Sequence, residues 1–341
     1  MSMTMPLTVP SLHPNRPLKV GLFLPETEFR RGPEVARWQE LREMAERAEA
    51  VGFDSLWLVD RLLFPGGDDF LGYGITETHG GWEAWSLTAA LAAVTTRVEL
   101  GQYVTNSLFR NPALLAKIAD TVDEISGGRL ILSVGAGDGG GDAPMFGYAD
   151  DHRVGRFAEA LAILTSLLRG ETVDFEGRYY RAAGAVVRPR GPRPQGPPLL
   201  IGSQLGPRML DLVVRYADLW NTYLWTRPEK VAEALAPLDA ALAAAGRDPA
   251  TLIRVLDVPV DLDLPGPRRH PRSTAYGRDR LAEATEHGVL LSGEPAAIAA
   301  ELRAYARAGI SHVVVWLDPD TVEGIDAFGA VLAELDRETV T

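Results

Sequence analysis

A glycine-rich turn is the strongest local signal for binding chemistry. The strand-like run 129–135 leads into glycines at 135, 137 and 140 in the stretch RLILSVGAGDGG. This G-x-G-x-x-G spacing is typical of dinucleotide-binding loops, but there the helix must begin at once so that its amide groups meet the pyrophosphate. Here Asp142 and Pro144 intervene, and helical periodicity resumes only near His152. The spacing therefore indicates either a turn without a ligand or, preferably, room for a planar ligand that a Cβ would obstruct.

A second candidate site lies in the stretch PLLIGSQLGPR, residues 198–208. An apolar strand ends in Gly202-Ser203-Gln204, and Gly206-Pro207 opens the following helix. Small residues and free backbone amides at a helix start can hold a phosphate group. An ordinary capped turn is the alternative. We favour the phosphate site because barrel enzymes often hold phosphate in such loops.

Ionisable side chains near strand ends are the candidates for acid–base work. Asp60 ends a strand, and His79 and His152 lie in or beside segments that follow strands. His312 opens a buried strand and is expected to be structural. The acids at 138, 142, 150 and 151 match no calcium-binding loop and are expected to be solvated. The histidines show no metal-binding spacing, so we predict no metal site.

The composition excludes several classes of protein. The chain has 341 residues, 46% of them apolar and none of them cysteine, so it is globular and has no thiol chemistry. Its net charge of −12 argues against nucleic acid as a partner. Residues 1–17 do not form a secretory signal, and no apolar run is long enough to span a membrane. We therefore expect a cytoplasmic protein that does not bind membranes.

Apolar runs of strand length alternate with amphipathic runs of helix length along the whole chain, which is typical of parallel α/β architecture. Eight strands are predicted, at 19–24, 54–59, 97–104, 129–135, 198–202, 217–221, 252–258 and 311–316. Eight consecutive βα units favour a single (β/α)8 barrel.

The rest of the chain is assigned around this barrel. Residues 1–17 are predicted to be a flexible N-terminal segment and residues 18–341 the barrel. Three segments that follow strands are longer than a minimal βα unit needs, near 61–81, 138–151 and 259–287. They are predicted to be insertions at the mouth, which is formed by the carboxyl ends of the strands. Segment 173–197 has a strand-like start and ends in PRGPRPQGPP, and it is interpreted as an extended linker in preference to a domain boundary.

The sequence resembles the luciferase-like flavin and deazaflavin oxidoreductases over about residues 18–338. The resemblance is carried by four stretches together: AEAVGFDSLWLVD, VELGQYVTNSLFRNPALLAKIADTVDEISGGRLILSVGAG, RFAEALAIL and PPLLIGSQLGPRMLDLVVRYADLWN. The part from RNPALLAK to SGGR is most similar to the branch assigned to coenzyme F420, an 8-hydroxy-5-deazaflavin. The FMN-using branch shares much of it.

The resemblance implies where a tricyclic cofactor ring would lie. The ring would rest over Tyr103 and Val104, where members of the family often have a bulge and a non-proline cis peptide. The residues implied to flank the ring or lie beneath it are Val104, Thr105, Asn106, Ala136, Gly137 and Asp138. Those implied to bind the cofactor phosphate are Arg156, Gly202, Ser203 and Gln204, with Ser203 foremost.

One departure from the family concerns the end of the second strand. Many relatives have Asp-His there, with the histidine in proton transfer, whereas this chain has Asp60-Arg61. Arginine is not a general base near neutral pH, but it can stabilise an anionic ring or a carboxylate. The resemblance thus implies Asp60 and Arg61 as catalytic residues. The candidates for the residue that transfers the proton are His79, Glu83 and Asp138.

The resulting prediction is an oxidoreductase that uses F420 for hydride transfer to or from a small organic substrate. The first alternative is a monooxygenase that uses oxygen and takes reduced FMN from a separate reductase. The second is a barrel subunit without catalysis. Phe64, Phe70, Leu71 and Tyr73 indicate an apolar substrate. The family resemblance also implies a homodimer.

Overall fold

The structure is a computed structural model, and it describes residues 8, 10, 11, 13–28, 35–66, 77–222, 227–264 and 289–337. The strands in these residues are β1 (Lys19–Phe23), β2 (Ser55–Leu58), β3 (Leu63–Phe64), β4 (His79–Gly80), β5 (Glu99–Gln102), β6 (Thr105–Asn106), β7 (Leu132–Gly135), β8 (Val173–Glu176), β9 (Arg181–Ala185), β10 (Leu199–Gly202), β11 (Leu219–Thr222), β12 (Ile253–Asp261), β13 (Leu291–Ser292) and β14 (His312–Asp318). The helices are α1 (Trp38–Val51), α2 (Ala84–Val94), α3 (Pro112–Ser126), α4 (Asp142–Met145), α5 (Arg153–Leu168), α6 (Pro207–Tyr216), α7 (Pro228–Ala244), α8 (Pro295–Arg307) and α9 (Val322–Asp336).

The long strands form a closed parallel barrel. Their order around it is β5, β2, β1, β14, β12, β11, β10 and β7, and each pairs in parallel with its neighbour. The circle closes where Leu100 pairs with Leu130, and the amide of Ile131 donates to the carbonyl of Leu100 at 2.8 Å. Each predicted strand corresponds to one of these strands, so the (β/α)8 barrel is confirmed.

Alternation along the strands separates two apolar cores. One lies between the strands and the surrounding helices. The other fills the barrel interior and consists of Phe23, Trp57, Tyr103, Ile131, Leu200, Leu219, Val255 and Val314. Trp57 occupies the interior space beside two glycines, because a Cβ at Gly21 or Gly101 would lie within 2.7 Å of an atom of Trp57.

Local signals in the sequence set the ends of the helices that surround the barrel. Asn111 caps α3, its Oδ1 accepting from the amide of Ala113 at 2.9 Å, with Pro112 at the first helical position. Gly52 ends α1 in the left-handed conformation, at φ +103°.

The segment 173–197 is not only an extended linker, and that interpretation was wrong for its first half. Strands β8 and β9 form an antiparallel hairpin. Glu159 on α5 holds the hairpin turn, because its carboxylate accepts from the backbone amides of Arg178, Tyr179 and Tyr180 at 2.8 to 3.0 Å. The exposed, polar residues of the hairpin gave no apolar run to detect.

Two of the predicted mouth insertions have described secondary structure. Segment 61–81 contains β3 and β4, which pair antiparallel, and segment 138–151 contains the short helix α4. The third segment begins later than predicted, because residues 259–261 still belong to β12. Residues 67–76, with Phe70, Leu71 and Tyr73, and residues 265–288 lie outside the described residues.

The N-terminal end of the barrel is closed by Arg16. Its buried guanidinium pairs with Asp54 at 2.8 Å and with Asp336 at 2.7 Å. Segment 1–17, predicted to be flexible, is thus anchored at this residue; the division at residue 18 stays a prediction. None of the described helices is long and apolar enough to cross a membrane.

Candidate active site at the mouth of the barrel

The mouth is built around the end of β5, where the peptide bond between Tyr103 and Val104 is cis, as the resemblance implied. The Val104 side chain packs over two neighbouring strand ends. A Cβ at Gly135 would lie 2.6 Å from Val104, and one at Gly202 would lie 2.9 Å from it. These two glycines therefore make room for the side chain of Val104. The prediction that the glycine-rich turn makes room for a planar ligand stays a prediction.

Asn106 follows this bend and is held by two neighbours. A Cβ at Gly137, which has φ +81°, would lie 2.9 Å from Asn106 Oδ1. The amide of Asn106 donates to Asp60 Oδ2 at 2.9 Å. Ala136 is half-buried between Gly135 and Gly137. The residues implied to surround the ring are thus adjacent at one side of the mouth.

Asp60 is engaged on both oxygens and is buried, with 7% exposure. Arg110 donates to Oδ2 at 2.6 Å and to Oδ1 at 3.0 Å, and it also donates to Glu83 at 2.5 Å. Burial lowers the pKa of Arg110, but the carboxylates of Asp60 and Glu83 outweigh burial and raise it above its ordinary value. Asp60 and Glu83 therefore hold Arg110 and the Asn106 backbone, and sequence reasoning missed Arg110.

Arg61 and Asp138, predicted separately as catalytic candidates, form an ion pair with each other. Arg61 also lies 3.5 Å from Asp142 and 5.3 Å from the ring centroid of Phe64. Asp142 is only 2% exposed and accepts from the amide of Leu62 at 3.2 Å. The expectation of a solvated acid was wrong at this residue, because Asp142 neutralises an arginine that lies under the glycine-rich loop.

The remaining histidine candidates differ in their surroundings. His79 is half-buried in the β3–β4 ribbon, opposite Phe64 in register. His152 is exposed, and its Nδ1 lies 2.9 Å from the carboxylate of Asp151. His312 is fully buried at the far end of the barrel, and burial lowers its pKa well below the ordinary value, which agrees with a structural role.

The turn after β10 has the features predicted for a phosphate site. Ser203 Oγ accepts from the amide of Leu205 at 2.9 Å, and the amide of Ser203 donates to the carbonyl of Asn221 at 3.0 Å. Gln204 is exposed, and α6 begins after Gly206 without a side-chain cap. Pro207 has no N–H, so the amides of Arg208 and Met209 are the first of α6 from which an anion can accept a hydrogen bond.

Arg156 lies in the first turn of α5, beside the hairpin. It donates to Asp151 Oδ1 at 2.6 Å and stacks 4.7 Å from the ring centroid of Tyr179. Hydrogen bonds from Arg156 and His152 lower the pKa of Asp151 to about 2. Asp151 therefore holds the Arg156 side chain at this position across the ordinary pH range.

The floor of the mouth is a hydrogen-bonded bridge that sequence reasoning missed. Tyr103 extends across the barrel, and its hydroxyl donates to Asp257 Oδ1 at 3.3 Å. Trp316 donates from Nε1 to Asp257 Oδ2 at 3.1 Å and packs against Phe23 with ring centroids 4.0 Å apart. The only local signal for Asp257 was an acid in the middle of a largely apolar strand.

Asn221 was also not identified as a site residue from the sequence, although it lies in the stretch ADLWN. It is 4% exposed, and its Oδ1 has no hydrogen-bond partner among the described residues. A Cβ at Gly202 would lie 2.8 Å from this oxygen. A buried amide at a glycine-lined strand end, together with the uncapped start of α6, fits a ligand that has a polar planar ring and a phosphate, as flavins and deazaflavins do. In the part of the chain that the structure describes, no three His, Asp or Glu side chains form a metal-binding group.

Comparison with known proteins shows one consistent family. The model of the luciferase-like monooxygenase family matches residues 18–263. A phthiodiolone/phenolphthiodiolone dimycocerosates ketoreductase of Mycobacterium tuberculosis is 31% identical over 80% of this chain and 70% of its own. An F420-dependent glucose-6-phosphate dehydrogenase of Amycolatopsis mediterranei is 28% identical over 87% of this chain and 92% of its own.

Solved structures share the fold at lower identity. An F420-dependent secondary alcohol dehydrogenase, in complex with an F420-acetone adduct, superimposes with a TM-score of 0.74 at 21% identity, covering 94% of this chain and 99% of that one. A monooxygenase from Streptomyces bottropensis superimposes with a TM-score of 0.72 at 20% identity, covering 93% and 99%. The barrel is therefore shared by an F420-dependent dehydrogenase and a monooxygenase.

Proposed function

This chain belongs to the luciferase-like monooxygenase family and is an oxidoreductase, and we propose that it exchanges a hydride between the deazaflavin F420 and a small organic substrate. The observation that carries the proposal is the mouth itself, where Val104 and two glycine strand ends lie beside Asn221, whose Oδ1 has no partner in the described part of the chain. F420 is favoured over FMN because a relative that aligns over 92% of its own length has F420 in its name.

The substrate class proposed is a carbonyl compound or the corresponding alcohol. The support is the ketoreductase relative, which is 31% identical over 282 residues. A bound deazaflavin would supply a ring carbon that gives or takes a hydride. The chain would supply the binding surface, the exclusion of water and the proton.

The phosphate of the cofactor is proposed to bind at the turn after β10. Ser203 and the backbone amides of Arg208 and Met209 would donate hydrogen bonds to it, and Arg156 would add a positive charge. Asp60 acts indirectly, since it holds the Asn106 backbone and Arg110 beside the proposed ring position. The aromatic floor made by Tyr103 and Trp316 closes the mouth toward the barrel interior.

His79 is the proposed proton-handling residue. Of the three side chains predicted for this role, Glu83 pairs with Arg110 and Asp138 pairs with Arg61, so their charges already serve other contacts. Imidazole can give and take a proton near neutral pH, and His79 lies on a ribbon that follows β2 at the mouth. We expect His79→Gln to lower kcat while leaving the dissociation constant of the cofactor unchanged.

The test of the proposal is a titration with both cofactors. The purified protein is titrated with F420 and with FMN, and oxidation of each reduced cofactor is followed with and without oxygen in the presence of simple ketones. We expect tight binding of F420 and turnover that does not need oxygen. Tight binding of FMN with oxygen-dependent turnover would instead support the alternative monooxygenase and its separate reductase.

Two results would limit the proposal further. A protein that binds neither cofactor would support the predicted alternative of a barrel subunit without catalysis. The homodimer also stays a prediction, which sedimentation equilibrium of the full chain would check.

A further inference from the structure

Asn221 lies on the inward-facing side of β11, close to the mouth. Leu219, two residues before it, belongs to the interior core, whereas Trp220 packs in the outer core. The side chain of Asn221 is thus directed to the interior, where it is 4% exposed. No hydrogen bond to its Oδ1 is found in the described part of the chain.

The surroundings of this amide are the proposed ring site. Its Oδ1 lies beside Gly202, where an added Cβ would approach both this oxygen, at 2.8 Å, and Val104, at 2.9 Å. Gly202 pairs in register with Asn221, and Gly135 follows on the next strand. The amide therefore lies beside the same strand ends over which the Val104 side chain packs.

A carboxamide in this position is unfavourable for the protein alone. A buried amide without a hydrogen bond costs about 1–3 kcal/mol, and an apolar side chain of similar size would avoid that cost. Two other asparagines of the chain do use their oxygens, since Asn111 caps α3 and Asn106 Oδ1 accepts from the amide of Leu108 at 3.1 Å. Asn221 Oδ1 has no such partner among the described residues, so it is available to a ligand.

We propose that Asn221 binds the pyrimidine edge of the cofactor ring. That edge carries an N–H beside a carbonyl in both flavins and deazaflavins, and a carboxamide offers the matching acceptor and donor. In the complex, Asn221 Oδ1 accepts from the ring N–H and Nδ2 donates to the ring carbonyl. This assignment rests on the proposed function, because it needs a flavin or deazaflavin in the mouth.

The test compares Asn221→Leu with Asn111→Ala. For Asn221→Leu we expect an unchanged or higher Tm without ligand and a dissociation constant about tenfold higher for the cofactor that the wild-type protein binds. For Asn111→Ala, which removes a helix cap, we expect a lower Tm and an unchanged dissociation constant. A loss of affinity without a loss of Tm indicates a ligand-binding amide, and a loss of Tm without a loss of affinity indicates a structural one.

A methylated ligand sharpens the test. Methylation of the ring nitrogen removes the N–H that Asn221 is proposed to accept from. We therefore expect N3-methyl-FMN to bind the wild-type protein about tenfold less tightly than FMN does, and to bind Asn221→Leu no less tightly than FMN does. The dissociation constant of riboflavin, which has no phosphate, should rise in Asn221→Leu by the same factor as that of FMN.

The outcomes separate this inference from the proposed function. If the wild-type protein binds neither F420 nor FMN, the proposed function fails and the assignment fails with it. If the wild-type protein binds and Asn221→Leu binds equally well, or has a Tm as low as that of Asn111→Ala, only the assignment is overturned. Should Asn221→Leu fail to fold, Asn221→Ser, which is smaller, is measured in the same way and judged by the same affinity criterion.

Discussion

The two ends of the barrel differ in how completely a buried polar side chain is hydrogen-bonded. At the N-terminal end, Arg129 is buried and each of its N–H groups has an acceptor, among them the carbonyls of Ala92, Thr95 and Val98. At the mouth, Asn221 is as deeply buried, yet its Oδ1 has no partner among the described residues. The first arrangement stabilises the fold, and the second leaves binding capacity for a ligand.

Arginine ion pairs occur at both ends of the barrel. Arg16 joins the N-terminal segment to Asp54 and Asp336, residues far apart in the chain, at the closed end of the barrel. Arg61 lies at the open end and pairs with Asp138 and Asp142 of the glycine-rich loop. We therefore expect substitutions at the closed end to change stability and not affinity, and substitutions at the mouth to change affinity.

The largest effect is expected from Arg16→Ala. It leaves Asp54, whose side chain is 5% exposed, without its cation, so the free energy of unfolding should fall by about 3–5 kcal/mol. Cofactor affinity should not change. Urea unfolding and a titration of the folded protein check both. Arg42→Ala, which removes an exposed pair with Glu46, is the control and should cost less than about 0.5 kcal/mol.

Gly202→Ala is the corresponding change at the mouth. The new Cβ would displace Val104 or Asn221, which costs about 1–3 kcal/mol of stability and should weaken cofactor binding about tenfold. Gly329→Ala on α9 is the control, because its Cβ would meet Val51 at 3.5 Å and the helix should gain about 0.5–1 kcal/mol. Wild-type affinity in Gly202→Ala would contradict the placement of the ring.

His312 predicts a pH dependence that belongs to the closed end. Burial lowers its pKa in the folded protein, so below about pH 6.5 the unfolded chain takes up a proton that the folded chain does not. The free energy of unfolding should therefore decrease as the pH falls below 6.5, by about 1 kcal/mol between pH 6.5 and 5.5. The slope of the free energy of unfolding against pH is measured for the wild type and for His312→Gln, and the difference is the contribution of His312. Equal slopes would refute this prediction.

Ser203→Ala should have the smallest effect. It removes one hydroxyl from the proposed phosphate turn, and the dissociation constant of FMN or F420 should rise about threefold to tenfold. Riboflavin provides the control, because it has no phosphate and its affinity should change much less. An equal loss for riboflavin and FMN would place the effect of Ser203 outside phosphate binding.

The fold was predictable because its signals are local. Apolar runs mark each barrel strand, and Gly52 or Asn111 mark helix ends within a few residues. The β8–β9 hairpin escaped because its exposed strands bury too few side chains to produce such a run. A short ribbon held by backbone contacts to Glu159 has no apolar pattern.

The candidate site was predictable only where it coincides with a motif. The turn at Ser203 and the bend at Tyr103 lie in recognisable stretches, whereas the bridge from Tyr103 to Asp257 joins residues 154 positions apart. Asp60 was singled out, but its partner Arg110 was not, because the contact forms only when β2 and the segment after β6 meet at the mouth. Such pairings depend on the closed barrel and not on local sequence.

The central claim is that the mouth of the barrel holds a flavin or deazaflavin. The most direct measurement is a crystal structure of the protein with F420, or with FMN if FMN binds more tightly. We expect the ring over Tyr103 and Val104 with its pyrimidine edge at Asn221, and the phosphate at Ser203. A ring bound at the closed end, beside Arg16, or no ring density at the mouth under saturating cofactor, would contradict the account.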